Sequence, residues 1–327
     1  MQRQESLAWQ CRRSRTHRTA AWRQIVVTPS TRRLSITHET RYDFRHDVVL
    51  GRHMLMLRPR ETRDLNLVSF SLDIQPEPVQ DWSQDVAGNA IASATFAIPT
   101  RMLRITARME VALLTPVWPI FPISATAASY PFTYAPDEVT DLGALAMPQY
   151  QDTDQRLRSW VRPIVAQTPT DTLSLLKDIS DRITHDIRYQ ARETEGTQGP
   201  LETLDRGWGT CRDFAVLFAE AARTLGIAAR LVSGYLFNPD ANAAGGPDGG
   251  ATHAWAEVFI PGAGWIPFDP TNRSVGAANL IPVAVARNIH QLSPVSGSFS
   301  GLTSAFVRLE VTVDVRSGSL PWTQSLP

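Results

Sequence analysis

The chain has 327 residues, 43% of them hydrophobic, and its 32 basic and 32 acidic side chains give a formal net charge of zero. A chain of this size can bury a sizeable core and form two domains. The balanced charge gives no reason to expect binding to nucleic acid or a membrane surface. Pro116, Pro119 and Pro122 interrupt the most apolar window, which stays short of the roughly 18 residues of a membrane span.

Residues 1–33 are rich in arginine, have Glu5 as their only acid, and lack the apolar stretch of a signal peptide. We interpret them as a disordered tail, and a start codon assigned too far upstream is the favoured explanation. A basic arm of the kind that binds nucleic acid is the alternative. Of the two cysteines, Cys11 lies in this tail, so the pattern favours a reduced cytoplasmic thiol at Cys211 over a structural disulfide.

Residues 34–135 have the pattern of a β domain followed by a connector. Short alternating stretches are separated by Pro, Gly, Asn and Asp. They run from Val48 to Leu57, Leu65 to Ile74, Ala90 to Ala97 and Leu103 to Leu113. This spacing predicts an all-β, sandwich-like N-terminal domain, and a connector rich in proline and aromatic residues follows it from Thr115 to Pro136.

Residues 136–285 change to a mixed pattern. Helical periodicity appears near 137–146, 153–166 and 171–188 and is followed by helix, strand, loop and hairpin signals. The chain as a whole therefore predicts an α+β fold. Residues 286–327 form a C-terminal extension in which Val307 to Val315 predicts a strand that returns to one of the sheets.

Cys211 lies at the start of one predicted helix. From Phe214 onward the apolar positions recur at helical spacing as far as Gly226, with Thr210 as the N-cap and Asp213 returning a hydrogen bond to it. Unpaired N–H groups and the helix dipole stabilise an anion at this end, and such a setting lowers the pKa of a thiol. Cys211 is therefore a candidate nucleophile.

His253 and Asp269 lie on the two strands of a predicted hairpin. An alternating run from His253 to Ile260 meets a Pro-Gly turn, and a second run ends at Asp269. Folding about the turn places Asp269 within a few residues of the level of His253. A nucleophile needs a base, and the base needs an orienting group, so Cys211, His253 and Asp269 match those three roles.

Each of the three residues also has a purely structural interpretation when it is taken alone. Cysteine is often a small buried hydrophobe, histidine often satisfies its own hydrogen bonds in a core, and Asp-Pro-Thr is ordinary turn chemistry. The constellation as a whole is what favours catalysis. Trp208, Trp255 and Trp265 neighbour these positions and are interpreted as core residues without a catalytic role.

Four short motifs carry a resemblance to a known family. They are Gly-Thr-Cys-Arg-Asp-Phe-Ala at 209–215, Val-Ser-Gly-Tyr at 232–235, His-Ala-Trp-Ala-Glu at 253–257, and Trp-Ile-Pro-Phe-Asp-Pro-Thr at 265–271. They resemble the bacterial transglutaminase-like superfamily. Gly51-Arg52-His53, Leu57-Arg58-Pro59-Arg60 and Asp85-Val86-Ala87-Gly88-Asn89 are similar to the N-terminal domain that accompanies this bacterial subgroup.

The resemblance implies a papain-like core in which the helix of the nucleophile packs on an antiparallel sheet, with a Cys-His-Asp site at Cys211, His253 and Asp269. The chain departs from the animal crosslinking enzymes, which have Gln before and Trp after the nucleophile, because it has Thr210 and Arg212. Calcium-dependent crosslinking is therefore not expected here.

The expected activity is thiol-dependent hydrolysis or transfer of an amide through an acyl-thioester on Cys211, with a peptide, a protein or a small amide as substrate. The alternative is a non-catalytic protein-interaction module on the same fold. No metal or other cofactor is expected, because the sequence lacks clustered Cys and His ligands and phosphate-binding loops. The Gly-rich segment from Asn238 to Gly250 is either a gate beside the site or a tolerated insertion.

Overall fold

The computed structural model describes residues 31–114, 119–165, 167–192, 196–239 and 250–318. Most of the tail assigned to 1–33 and most of the loop from Asn238 to Gly250 lie outside these residues. Within the described ranges no helix is long and apolar enough to cross a membrane.

Six strands form the N-terminal region. They are β1 (Arg32–Leu50), β2 (His53–Leu55), β3 (Leu65–Gln75), β4 (Val79–Gln84), β5 (Ala90–Thr95) and β6 (Thr100–Leu113). β1 is one continuous strand of 19 residues, whereas the sequence analysis predicted a strand only for its end, in the stretch that begins at Val48. β4 is exposed along its whole length, which explains why no apolar alternation marked it.

The middle of the chain carries the helices. Its elements are β7 (Ser129–Tyr130), α1 (Pro136–Leu142), α2 (Arg156–Val161), β8 (Thr170–Asp171), α3 (Thr172–Asp186), β9 (Arg188–Tyr189), α4 (Pro200–Arg206), β10 (Trp208–Gly209) and α5 (Cys211–Thr224). Five strands follow: β11 (Ala229–Phe237), β12 (Gly250–Ile260), β13 (Gly264–Asp269), β14 (Ser274–Val275) and β15 (Leu280–Ala286). The chain then adds β16 (Val295–Ser296), β17 (Phe299–Ser300) and β18 (Phe306–Ser317).

Two sheets enclose the N-terminal core. One has the order β17-β1-β6-β3, with β18 also paired to β1, and the other has the order β16-β2-β5-β4. The segment Val307 to Val315 lies within β18, which pairs antiparallel with β1. Three strands from the C-terminal end therefore complete sheets that the N-terminal region begins.

A third sheet, of order β14-β13-β12-β11-β15, supports the middle of the chain. Helices α3 and α5 contribute their apolar residues to one core together with β12 and β13. On β11 and β15, Tyr235, Phe237, Ile281 and Val283 belong instead to the core of the N-terminal sheets. The α+β fold with N-terminal β sheets that the sequence predicted is confirmed.

Asn89 joins the N-terminal region to the third sheet. Its Oδ1 accepts the backbone N–H of Val285 at 2.8 Å, and its Nδ2 donates to the Val285 carbonyl oxygen at 2.8 Å. Arg60 Nη1 also donates to Asn89 Oδ1, at 2.7 Å, while Asp85 Oδ2 accepts from Asn89 Nδ2 at 2.7 Å. Asn89 is fully buried. The side chain thus pairs with β15 as another strand would.

The substitution Asn89→Ala is expected to lower the free energy of unfolding by about 3 kcal/mol, because it leaves the buried backbone N–H and C=O of Val285 without their partner and removes one of the acceptors of the Arg60 guanidinium. Urea unfolding measures the change. Asn66→Ala, on the exposed side of β3, is the control and should change stability by less than about 0.5 kcal/mol. Equal effects of the two variants would contradict this role of Asn89.

Candidate active site

The first turn of α5 is held in place by a buried carboxylate. Asp213 is fully buried, and its Oδ2 accepts the backbone N–H of Thr210 at 2.8 Å and the Thr210 hydroxyl at 3.0 Å. Its Oδ1 accepts the backbone N–H of Gln198 at 2.7 Å and a guanidinium N–H of Arg192 at 3.2 Å. These four donors fix the position at which the helix begins. They thereby fix Cys211, its first residue.

The β12–β13 hairpin brings His253 and Asp269 together. Ala256 pairs with Phe268, and extending this register by one residue places Asp269 across from Trp255. His253 lies two residues before Trp255, so its side chain emerges on the same side of the sheet. The two residues are diagonal neighbours, and His253 Nε2 lies 2.8 Å from Asp269 Oδ2.

Cys211 completes the chain of contacts, because the side chain of His253 hydrogen-bonds to its thiol. Since Nε2 is occupied by Asp269, Nδ1 is the ring nitrogen left for the sulfur. The backbone N–H of Ala254 also donates to the sulfur. The structure therefore brings together all three residues that the sequence singled out.

The contacts act on the pKa of both partners. Burial alone would raise the pKa of the Cys211 thiol, but the hydrogen bond and charge of His253, the N–H of Ala254 and the charge of Arg212 outweigh burial and lower that pKa. Burial alone would lower the pKa of His253, but Asp269 and Cys211 raise it to about 9. Contact between the two groups thus stabilises the thiolate and the imidazolium relative to either charge alone.

Asn272 is a member of the site that the sequence did not reveal. Its Nδ2 donates to Asp269 Oδ2 at 2.6 Å, and its backbone N–H donates to Asp269 Oδ1 at 3.3 Å. The backbone N–H of Thr271 donates to the same Oδ1 at 3.0 Å. An Asp-Pro-Thr turn signals the bond from an N–H two residues on, but nothing in a sequence shows that the Asn side chain folds back.

The tryptophans beside these residues pack against neighbouring side chains. Trp255 is buried, and its ring stacks on that of His253 with the centroids 6.2 Å apart. Trp265 packs under the guanidinium of Arg230, and Trp208 under that of Arg206. None of the three lines the cleft described below.

Cys211 opens onto a cleft of about 890 Å³ between the N-terminal sheets and the helical part of the chain. One side of the lining comes from the segments around Tyr189 and Cys211, and the other from β1 and from the C-terminal strands β16 to β18. Among the described residues, no group of three or more His, Cys, Asp or Glu side chains is arranged to hold a metal ion.

Comparison with known proteins agrees with this architecture. Residues 158–270 match the model of the transglutaminase-like superfamily, and residues 34–112 match that of the bacterial transglutaminase-like N-terminal region. An uncharacterized protein of Mycobacterium tuberculosis is 29% identical over 302 residues, which cover 87% of this chain and 93% of that protein. An uncharacterized protein of Mycobacterium leprae is 35% identical over 114 residues, which cover 34% of this chain and 40% of that protein.

A crystal structure from Cytophaga hutchinsonii, of a protein proposed to be a cysteine protease, has a similar fold. It superposes with a TM-score of 0.67 at 19% identity and covers 90% of this chain and 93% of that chain. The likeness therefore extends over both the N-terminal sheets and the helical part. The resemblance inferred from the sequence motifs is confirmed: the chain belongs to the transglutaminase-like superfamily, with a transglutaminase-like core that follows a bacterial transglutaminase-like N-terminal region.

Proposed function

We propose that the protein is a thiol-dependent enzyme that transfers or hydrolyses an amide through an acyl-thioester on Cys211. The observation that carries this proposal is the hydrogen-bonded chain from the Cys211 thiol through His253 to the fully buried carboxylate of Asp269. Such a chain supplies a nucleophile, its base and the group that orients the base. A peptide, a protein or a small amide is the proposed substrate.

The reaction begins when the Cys211 thiolate attacks the amide carbonyl and a sulfur–carbon bond forms. As the tetrahedral intermediate collapses, the carbon–nitrogen bond breaks, and His253 gives its proton to the leaving amine. Water or a second amine then attacks the thioester, His253 takes the proton from it, and the thiolate is released. Asp269 stabilises the imidazolium throughout and keeps Nε2 occupied, which leaves Nδ1 directed to the reaction.

The oxyanion of the intermediate needs donors that are in place before the reaction. The backbone N–H of Cys211 belongs to the first turn of α5, where N–H groups have no partner within the helix. It is the proposed first donor. Incorporation of an added primary amine into the product separates transfer from hydrolysis, because only transfer consumes the amine. The cytoplasmic location stays a prediction from the sequence.

The activated thiol gives the first test. In a Cys11→Ser background, iodoacetamide is expected to alkylate Cys211 well below pH 8, because His253 lowers the pKa of the thiol. Replacing His253 by Ala should move the rise in rate to higher pH and slow labelling at pH 6 by about tenfold or more, since the thiolate loses its cation. Intact mass measured across pH 5 to 9 reports both effects.

Cys211→Ala in the same background is the control and must show no adduct. A Cys211 that reacts like a free thiol in the folded protein would overturn the catalytic proposal. A protein-interaction module on the same fold would then be the better explanation.

The carboxylate of Asp269, at the far end of the hydrogen-bonded series from Cys211, gives a second test. Asp269→Asn removes the charge that raises the pKa of His253, so the rise in labelling rate should shift to higher pH. Asn272→Ala should shift it less, because the N–H groups of Thr271 and Asn272 still hold Asp269. The same labelling curves measure both variants, and circular dichroism checks their folding. A larger shift for Asn272→Ala than for Asp269→Asn would contradict the assignment of Asp269 as the direct partner of His253 and of Asn272 as a partner of Asp269.

A further inference from the structure

The cleft beside Cys211 has an unbalanced positive charge. Among the described residues that line it there is no aspartate or glutamate, whereas two arginines are present, Arg192 and Arg212. Arg192 is already neutralised, because one of its guanidinium nitrogens donates to Asp213 at 3.2 Å and to the Gly196 carbonyl oxygen at 2.6 Å. Arg192 is therefore a structural cation.

Arg212 differs from Arg192 in having no such partner among the described residues. It follows Cys211 in the first turn of α5 and is half-buried, and its side chain makes no hydrogen bond or ion pair with the part of the chain that the structure describes. Its charge nevertheless reaches the reaction centre, since it lowers the pKa of the Cys211 thiol. A guanidinium partly removed from water gains most from an anionic acceptor, which it can bind through two parallel hydrogen bonds.

Two of the three histidines of the lining do not duplicate this charge. His38 is kept neutral because burial lowers its pKa to about 4, and burial lowers the pKa of His53 as well. Arg212 is thus the permanent positive charge without a counterion among the described lining residues.

The part of the wall contributed by β17 and β18 is apolar. Phe299 on β17 and Phe306, Leu309 and Val311 on β18 line the cleft, and each is between 37% and 47% exposed. Such a wall gives an anion no hydrogen bond, whereas it can cover apolar atoms of a ligand. A ligand that carries both kinds of group is therefore oriented with its anionic part toward Arg212.

We propose that Arg212 is a specificity-determining residue, which binds an anionic group next to the amide that Cys211 attacks. This inference rests on the proposed function and names its substrate class: amides with a carboxylate or an equivalent anion beside the reacting acyl group, and with apolar atoms that pack on β17 and β18. It also gives a role to the residue that stands where animal crosslinking enzymes have tryptophan.

Two small alkylating reagents of nearly equal size test the proposal. Iodoacetate carries a carboxylate beside its reacting carbon, and iodoacetamide carries a neutral amide there. The second-order rate constants of both reagents with Cys211 are measured in a Cys11→Ser background and expressed as a ratio. Both reagents react with the same thiolate, so the fraction of Cys211 that is ionised cancels in the ratio. The effect of Arg212 on the pKa of Cys211 therefore does not change the ratio.

Arg212→Gln is expected to reduce the iodoacetate-to-iodoacetamide ratio by about fivefold or more, as the loss of a nearby opposite charge implies. Arg212→Lys should retain most of the ratio, because it keeps the charge. Arg188→Gln removes the same charge from β9, outside the cleft lining, and should leave the ratio unchanged. The imidazolium of His253 is common to all these variants and contributes equally to each.

Glu193 and Glu195 lie outside the described residues, so the double variant Glu193→Gln/Glu195→Gln is measured alongside. In this double variant the iodoacetate-to-iodoacetamide ratio must stay the same or increase. A ratio that does not change in Arg212→Gln, or that falls equally in Arg188→Gln, would overturn the role of Arg212 while leaving the thiol activated. A thiol that shows no activation toward iodoacetamide would instead overturn the proposed function itself.

Discussion

Two fully buried carboxylates, Asp213 and Asp269, determine where the groups of the site can lie. A buried charge is tolerated only when it is paired and fully hydrogen-bonded, and each of these carboxylates accepts from several donors. Asp213 accepts hydrogen bonds from the N-cap of α5, Thr210, and from the backbone N–H of Gln198, and it pairs with Arg192. Asp269 accepts hydrogen bonds from the backbone N–H of Thr271 and from the side chain of Asn272, and it pairs with the imidazole of His253. The two residues thereby fix the sulfur and the ring from opposite sides.

This arrangement explains how the thiol is activated although burial opposes its ionisation. Desolvation penalises both a lone thiolate and a lone imidazolium, but the pair in contact stabilises both charges. Asp269 raises the pKa of His253, and the protonated ring then lowers the pKa of Cys211. Asp269 therefore acts on the pKa of the thiol through His253.

The N-terminal sheets matter to the site because they form one wall of the cleft. Asn89 binds them to β15, which lies in the same sheet as the strand of His253. Strand β18 from the end of the chain completes their edge and exposes its apolar side chains to the cleft. A core without these sheets would keep Cys211, His253 and Asp269 but lose one wall of the cleft.

The sequence by itself determined the elements and the candidate residues, because their signals are local. The period of α5, its capping by Thr210 and Asp213, and the Pro-Gly hairpin are set by neighbours a few residues apart, and they placed Cys211, His253 and Asp269 on the correct elements. Only the tertiary structure decided the diagonal register of His253 and Asp269, the return of the Asn272 side chain, and a cleft that joins Arg212 to β18. The cleft joins segments about a hundred residues apart, and neither the exact register of the hairpin nor the direction of the Asn272 side chain follows from a local pattern of hydrophobicity or turn chemistry.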